Sequence, residues 1–411
     1  MNVLVFNPGG NSLKAEIVSC DARQRYAFEG TQRISVIVEG IGKQPKLARF
    51  RGKEQESGEA IEAESYAQAA ESILRWFAEH AGSDIPHPND IDCVGLRVVH
   101  GGERFSAPAV ITGEVEQQMR DLEKLAPLHN KSAVELIGPL QRAFERAPGH
   151  AVPVWAVFDT AFHRTIPEHV RLYAIPLELS KKHAIRKYGF HGISHRYMME
   201  RYAHLVGKQP HEVNLVTMHL ESGCSVTAIA GGASVDNTMG LTPLQGLMMG
   251  TRSGDVDPAL VEFLMREERM DVDAVMTLLN KKSGLLGVSG KSLDTRVLMR
   301  AYDRDAQVRL AMEMFSYRVR TAVGAYLAAL GGADAVIFGG GIAENTPLVR
   351  QRVCDGLRWC GLEMDEAQNR KLINLEGRLT TERSPLQAFI IPVEEGLQIA
   401  HECAQAQAAS L

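Results

Sequence analysis

Short apolar runs that end in glycine-rich turns recur along the chain. VLVF at 3–6 leads into NPGGNS and then LKAEIV, the pattern of two extended segments joined as a hairpin. The residues from Gly42 to Glu64 are polar and charged and predict surface loops around a short strand. Ser65 can cap a helix whose apolar residues Tyr66, Ala70, Ile73, Leu74 and Phe77 share one face, ending near Gly82. CVGLRVVHGG at 93–102 and VPVWAVFDTAF at 152–162 read as strands that deliver polar residues at their ends. NLVTMHLESGCSVTAIAGGASV repeats the opening scheme of strand, Gly/Ser turn and strand. Residues 308–330 predict a long, mostly buried helix stopped by Gly331 and Gly332. AVIF at 335–338 predicts a strand, GGGIAEN a glycine loop and Thr346-Pro347 a helix opening, together a recurrent seat for an anion or nucleotide.

Two such hairpins in the two halves suggest a duplicated architecture with a cleft between the halves. A chain of 411 residues is too long for one ordinary core, so two domains are expected, with a boundary near 150–160. Hydrophobic residues at 45% and charged residues at 23% are those of a globular protein. A formal charge of −5 argues against nucleic acid or an anionic membrane as partner, since both reward a concentrated positive field. The N-terminus MNVLVFN lacks a basic segment and a long apolar stretch, and no run approaches a membrane span, so a cytoplasmic location is expected. The six cysteines have no C-x-x-C spacing and read as free, mostly buried thiols.

Candidate chemistry narrows from there. GVSGKSL at 287–293 resembles the end of a phosphate-binding loop, but G-x-x-x-x-G-K-[ST] requires glycine where Leu285 stands. HGISH at 191–195 puts two histidines four apart, yet the Glu of H-E-x-x-H is missing and no third metal ligand is evident. Asn7, Ser12, Arg97, His129, His191, His219 and Arg252 form a polar set at strand ends and glycine turns. Taken singly, an arginine there is ordinarily a surface or interdomain ion pair, and a buried histidine a satisfied core group. Phosphoryl transfer would use the set jointly: backbone N–H groups to hold phosphates, cations for the equatorial oxygens, and a carboxylate such as Asp159 or Glu395 for Mg²⁺.

The segments GLRVVHGGERF, LAPLHN, AVFDTAFH, YGFHGISH, VDNTMGLTPLQGLMMGTRSGDVDP, NKKSGLLGVSG and FGGGIAEN closely resemble, in order, the signature segments of the acetate kinases. The resemblance implies an α/β fold of the superfamily of acetate and sugar kinases, heat-shock ATPases and actin: two domains of duplicated βββαβαβα topology closing on a nucleotide cleft. The implied domains are 1–155 with approximately 392–411, and 156–391. By position, Arg97 and Arg252 resemble the arginines that bind the substrate carboxylate and the transferring phosphoryl, and His191 the histidine that steadies its equatorial oxygens. Asp159 matches a catalytic acid that positions metal or substrate. Asn7 and Glu395 match contacts to phosphate and Mg²⁺, with Mn²⁺ as an alternative metal. Ser12, Lys14, His219 and Gly223 fall on the nucleotide-phosphate side, while Asp294, Arg296, Gly341, Ile342 and Asn345 match the adenosine pocket. Val99, Leu128, Phe190 and Pro243 match an apolar pocket for the substrate methyl. His195 is expected to be structural, and His129 to line the cleft. ATP is the implied co-substrate and a homodimer the implied assembly, through the second domain.

Three departures fall on the donor side. Where the family has H-L-G-N-G, this chain has His219-Leu220-Glu221-Ser222-Gly223; the usual G-S-S-S is Gly9-Gly10-Asn11-Ser12; and G-I-G-E-N is Gly341-Ile342-Ala343-Glu344-Asn345. An inward Glu221 would repel nucleotide phosphates, and one turned to solvent would leave the backbone N–H groups able to serve. The expected activity is reversible Mg-dependent phosphoryl transfer from ATP to acetate by direct attack of the carboxylate. Alternatives are a propionate or butyrate kinase, an acetate kinase using another donor such as pyrophosphate, and a non-catalytic sensor of acetyl phosphate or nucleotide.

Overall fold

The computed structural model describes residues 1–51, 54–82, 85–124, 130–145 and 152–410, with side chains for all of these except 31–33, 51, 54–57 and 124. The chain divides into two compact units, Met1–Ala161 with Glu394–Leu411, and Phe162–Val393.

The first unit is built on an eight-stranded sheet. β1 (Asn2–Pro8), β2 (Ser12–Ser19), β3 (Thr31–Glu39), β4 (Lys46–Arg51) and β5 (Glu54–Ala60) form an antiparallel meander. On the other side of β1 lie β6 (Cys93–Val98) and β8 (Val154–Phe158), both parallel, with β7 (Ala109–Val110) antiparallel at the edge. The 42–64 expectation is corrected here: the segment supplies two full strands. Its polar character belongs to the sheet edge, where charge on the outer strands discourages pairing with another chain.

The second unit's sheet runs β11-β10-β9-β12-β14-β13. β9 (Leu215–Leu220), β10 (Cys224–Ala230) and β11 (Ala233–Asn237) are antiparallel; β12 (Ala335–Gly339) and β14 (Gln387–Ile390) are parallel to β9, and β13 (Gly377–Arg378) closes the edge. The order is that of β3-β2-β1-β6-β8-β7, so the same plan occurs twice.

Val3 to Phe6 are all buried, as a strand covered on both faces requires. Leu4 and Phe6 join the core beneath the helix Tyr66–Glu79, which Ser65 caps by accepting from the Gln68 N–H at 3.3 Å. The C-terminal helix Glu395–Ser410 packs on β1 and β6. It can do so closely because Gly95 has no side chain: a Cβ there would stand 2.9 Å from both Cys403 Sγ and Ile399 Cγ2.

Two further expectations change. The long helix, Ala306–Leu330, is capped by Asp305 and ended by Gly331 at φ 69°. Only one face is buried, and Leu310 and Tyr317 are 51% and 56% exposed. GGGIAEN is not a loop throughout, because Gly341–Asn345 closes a short helix before the one at Pro347–Asp355. Among the described residues no helix is long and apolar enough to cross a membrane.

Gly95→Val should lower unfolding stability by roughly 2 kcal/mol, the usual cost of overpacking a tight core. A denaturant melt checks it; an unchanged midpoint would show that the C-terminal helix can move away.

Candidate active site

In the first unit, register brings the site residues together. β1, β6 and β8 are parallel neighbours, so Asn7, Arg97 and Asp159 arrive at the same end of the sheet. Asp159 is buried and accepts from Arg97 at both ends of the guanidinium fork, from Nε at 3.1 Å and Nη2 at 2.6 Å. Arg97 Nη1 donates to Asn7 Oδ1 at 2.9 Å, and Asn7 Nδ2 donates to Glu395 Oε2 at 2.8 Å. Glu395 opens the C-terminal helix and lies 3.8 Å from Arg97 Nη1.

Lys14 stands opposite Asn7 in the hairpin and bonds Glu16 Oε1 at 2.6 Å. Burial alone would lower its pKa, but Glu16, Glu394 and Glu395 outweigh this and raise it. Glu16 is a participant that the reading by motif missed. It is buried, and a Cβ on Gly396 would collide with its carboxylate at 1.7 Å. The two-residue spacing from Lys14 on a strand was the available signal. Ser12 closes the first turn, where Gly9 N donates to the Ser12 carbonyl at 2.8 Å. Gly10 and Asn11 are exposed.

In the second unit the centre is the turn after β9. A Cβ on Gly223 would lie 3.3 Å from His191 Nε2 and 3.5 Å from Arg252 Nη1, so these two nitrogens converge on bare backbone. His191 sits left-handed, φ 58°, at the start of the helix Gly192–Leu205. That conformation costs a non-glycine residue roughly 1–3 kcal/mol and is tolerated where the surroundings enforce it. Arg252 Nη1 also donates to the Pro243 carbonyl at 2.9 Å, and burial lowers its pKa. The His219 ring lies 4.4 Å from that of His191.

Phe190 is buried, and its carbonyl meets His163 Nε2 at 2.9 Å and Asn237 Nδ2 at 3.2 Å. His163, in the AVFDTAFH segment, was another participant not singled out. Burial pulls its pKa down to about 4, so it is a neutral support. Pro243 is buried in this unit and Val99 in the first. Leu128 and His129 lie outside the described residues. Among the described residues no group of three or more His, Cys, Asp or Glu is arranged to hold a metal ion, and His191 and His195 both turn to Ser225.

The profile of the acetokinase family matches residues 2–401. The chain belongs to the acetokinase family. It is 44% identical to an acetate kinase of Solibacter usitatus over 98% of this chain and 97% of that one. Its fold is similar to that of the crystal structure of Porphyromonas gingivalis acetate kinase, with TM-score 0.87 and 36% identity over 97% and 98% of the two chains. A propionate kinase from Francisella tularensis is as similar, with TM-score 0.87 and 35% identity over 98% of each. The chain is therefore a kinase of two-domain, duplicated actin-like architecture.

As an acetokinase-family chain it carries its departures in defined places. The parallel pairing of β9 with β12 sets His219 beside Gly339. Gly340, at φ 84°, presses on the Leu220 backbone, where a Cβ would come within 2.7 Å. Glu221 thus overlooks the Gly341 turn: its Oε1 is 4.0 Å from where a Gly341 Cβ would stand, and its Oε2 is 3.6 Å from His219 Nε2. The side chain is 62% exposed, so it is wet but not turned away from this region. Ala343 is fully buried, so its methyl fills the interior.

Asp294 caps the helix Thr295–Ala301 and is bonded by its own neighbour Arg296, from N at 2.8 Å and Nη2 at 2.8 Å. The Arg296 bonds lower the Asp294 pKa. Thr295 and Thr346 meet through their hydroxyls at 3.5 Å, which brings this helix start next to Gly341, Ile342 and Asn345. Asn345 Nδ2 donates back to the Gly341 carbonyl at 2.9 Å.

Gly223→Ala should fold normally and lower kcat by roughly tenfold, since one methyl displaces both nitrogens by a few tenths of an ångström. Steady-state kinetics beside a thermal melt check this; a kcat within about twofold of the parent would show that the turn has slack.

Proposed function

We propose that the protein catalyses reversible phosphoryl transfer from ATP to acetate, giving acetyl phosphate and ADP. The observation that carries the reading is the convergence of His191 and Arg252 on the Gly223 turn, an arrangement suited to an anion's oxygens. A small carboxylate is already ionised at neutral pH, so its oxygen attacks the γ-phosphorus without a general base. The protein's task is to bring two anions together in line, and cations do that. Arg252 and His191 bind the transferring phosphoryl; Arg97, its plane held by Asp159, binds the substrate carboxylate. Val99, Leu128, Phe190 and Pro243 hold the methyl.

The oxygens of Glu395 and Asn7 suit Mg²⁺, or Mn²⁺, which binds through one or two carboxylates together with substrate phosphates. When bound, the ion supplies charge neutralisation at the phosphoryl oxygens. Ser12, Lys14 and His219 lie on the phosphate side, and Asp294, Arg296, Gly341, Ile342 and Asn345 on the adenosine side. The propionate kinase neighbour keeps a longer acyl chain open, because one methylene is discriminated by only about 1–3 kcal/mol. The protein acts in the cytoplasm as a homodimer through the second unit. Apolar side chains such as Phe263, 60% exposed, support such a surface.

The test is hydroxylamine trapping of acyl phosphate from acetate or propionate, with Mg²⁺ and ATP, GTP or pyrophosphate offered separately. ATP-dependent acetyl hydroxamate is expected. Product only with another donor would reassign the nucleotide side, and no product with any donor would sink the kinase reading in favour of a sensor.

Glu221 is expected to weaken ATP binding. Two like charges about 4 Å apart repel by roughly 1 kcal/mol in water and 4 kcal/mol at an effective dielectric of 20, and an exposed carboxylate lies near the lower figure. Glu221→Gly with Ser222→Asn should then lower the ATP KM by about fivefold at low salt, less at high salt. An unchanged KM would show that the carboxylate does not face the phosphates.

A further inference from the structure

His191 and His195 are joined by a single hydroxyl. Ser225 Oγ lies 2.9 Å from His191 Nδ1 and 2.7 Å from His195 Nε2, and Thr217 Oγ1 lies 2.7 Å from His195 Nδ1. The histidines stand one turn apart at the start of the helix Gly192–Leu205, with Thr217 on β9 and Ser225 on β10. All four belong to the second unit.

A serine hydroxyl has one proton, so between two ring nitrogens it donates to one and accepts from the other. The protonation of the two rings is thereby linked. His195 is fully buried, and burial, followed by the nearby His163 and His219, holds its pKa well below the ordinary histidine value. It is neutral and carries one N–H. If that proton is on Nε2, His195 donates to Ser225, Ser225 donates to His191 Nδ1, and the proton of a neutral His191 sits on Nε2. Thr217 completes the order by donating to His195 Nδ1.

His191 Nε2 is the atom at the Gly223 turn. The reverse order would present a lone pair there, which repels an anion unless the ring takes a second proton. Arg252 Nη1 comes to the same turn, and the His219 ring lies 4.4 Å from that of His191.

We propose that Thr217, His195 and Ser225 form a relay that holds neutral His191 in its Nε2–H tautomer, which makes His195 and Ser225 positioning residues for phosphoryl transfer. The choice of order and its kinetic consequence rest on the proposed function; the hydrogen-bonded chain through Ser225 and Thr217 does not.

The experiment uses the full chain with ¹⁵N-labelled histidine, the His191 signals being identified by their loss in His191→Gln. The parent should show His191 protonated at Nε2, with Nδ1 as acceptor. Ser225→Ala should abolish that single tautomer and lower kcat roughly 10- to 100-fold, as is typical when a group orienting a functional histidine is removed. KM for acetate and ATP should move by less than about threefold, the split expected when only transition-state contacts are lost. Ser225→Thr restores the hydroxyl and should recover most of kcat. His195→Gln, which keeps an N–H toward Ser225, should retain more kcat than His195→Leu at comparable melting temperature. A parent His191 protonated at Nδ1, an unaltered tautomer in Ser225→Ala, or a kcat within about twofold of the parent overturns the relay. A correct tautomer in a protein with no phosphotransferase activity would overturn the proposed function and leave the hydrogen-bond relay standing.

Discussion

A guanidinium can stand at the end of a buried parallel strand only if a carboxylate takes its charge. Removing either partner of such a pair typically costs 3–5 kcal/mol, because the remaining charge is left desolvated. Arg97 meets this constraint through Asp159, and the register of β6 against β8 makes the meeting automatic. The pair also fixes the plane of the fork, which points Nη1 at Asn7 and toward Glu395. Much of the first unit follows from it: Glu395 must open the C-terminal helix there, Gly95 must let that helix approach, and Gly396 must leave room for Glu16.

The second unit uses the same strand order for a different electrostatic purpose. Asn7 pairs with Lys14 across the first hairpin, and at the matching positions His219 pairs with Ser225 across the second. One copy therefore gathers carboxylates with a lysine and an arginine, and the other gathers histidines, hydroxyls and Arg252. A duplicated scaffold can hold two such different sets because strand ends fix where a side chain begins without dictating what it carries.

Glu221 shows how little a turn constrains its residues and how much its neighbours do. Its backbone is ordinary, with its N–H bonded to the Gly223 carbonyl at 3.1 Å. Its carboxylate matters because Gly340 brings a second glycine turn against Leu220, so the charge overlooks Gly341 as well as His219. Ala343 is the opposite case, a change within a signature segment that is absorbed by the interior.

The chain's local patterns alone determined the two hairpins, the strands near 93–98, 154–158 and 335–339, the Ser65 cap, the Gly331 stop and the family, because apolar periodicity and turn chemistry act over a few residues. They misjudged 42–64 and the exposed face of 306–330, where polar strand edges and a half-covered helix depend on what packs beside them. Only the tertiary structure decided that Ser225 stands between His191 and His195, that Glu16 lies buried against Gly396, and that Glu221 reaches His219 near Gly341. Each of these depends on register between strands or on helices distant in the chain. Within a hairpin the turn and the apolar alternation set the register, but which strand or helix from elsewhere in the chain packs beside it is decided only by contacts across the fold.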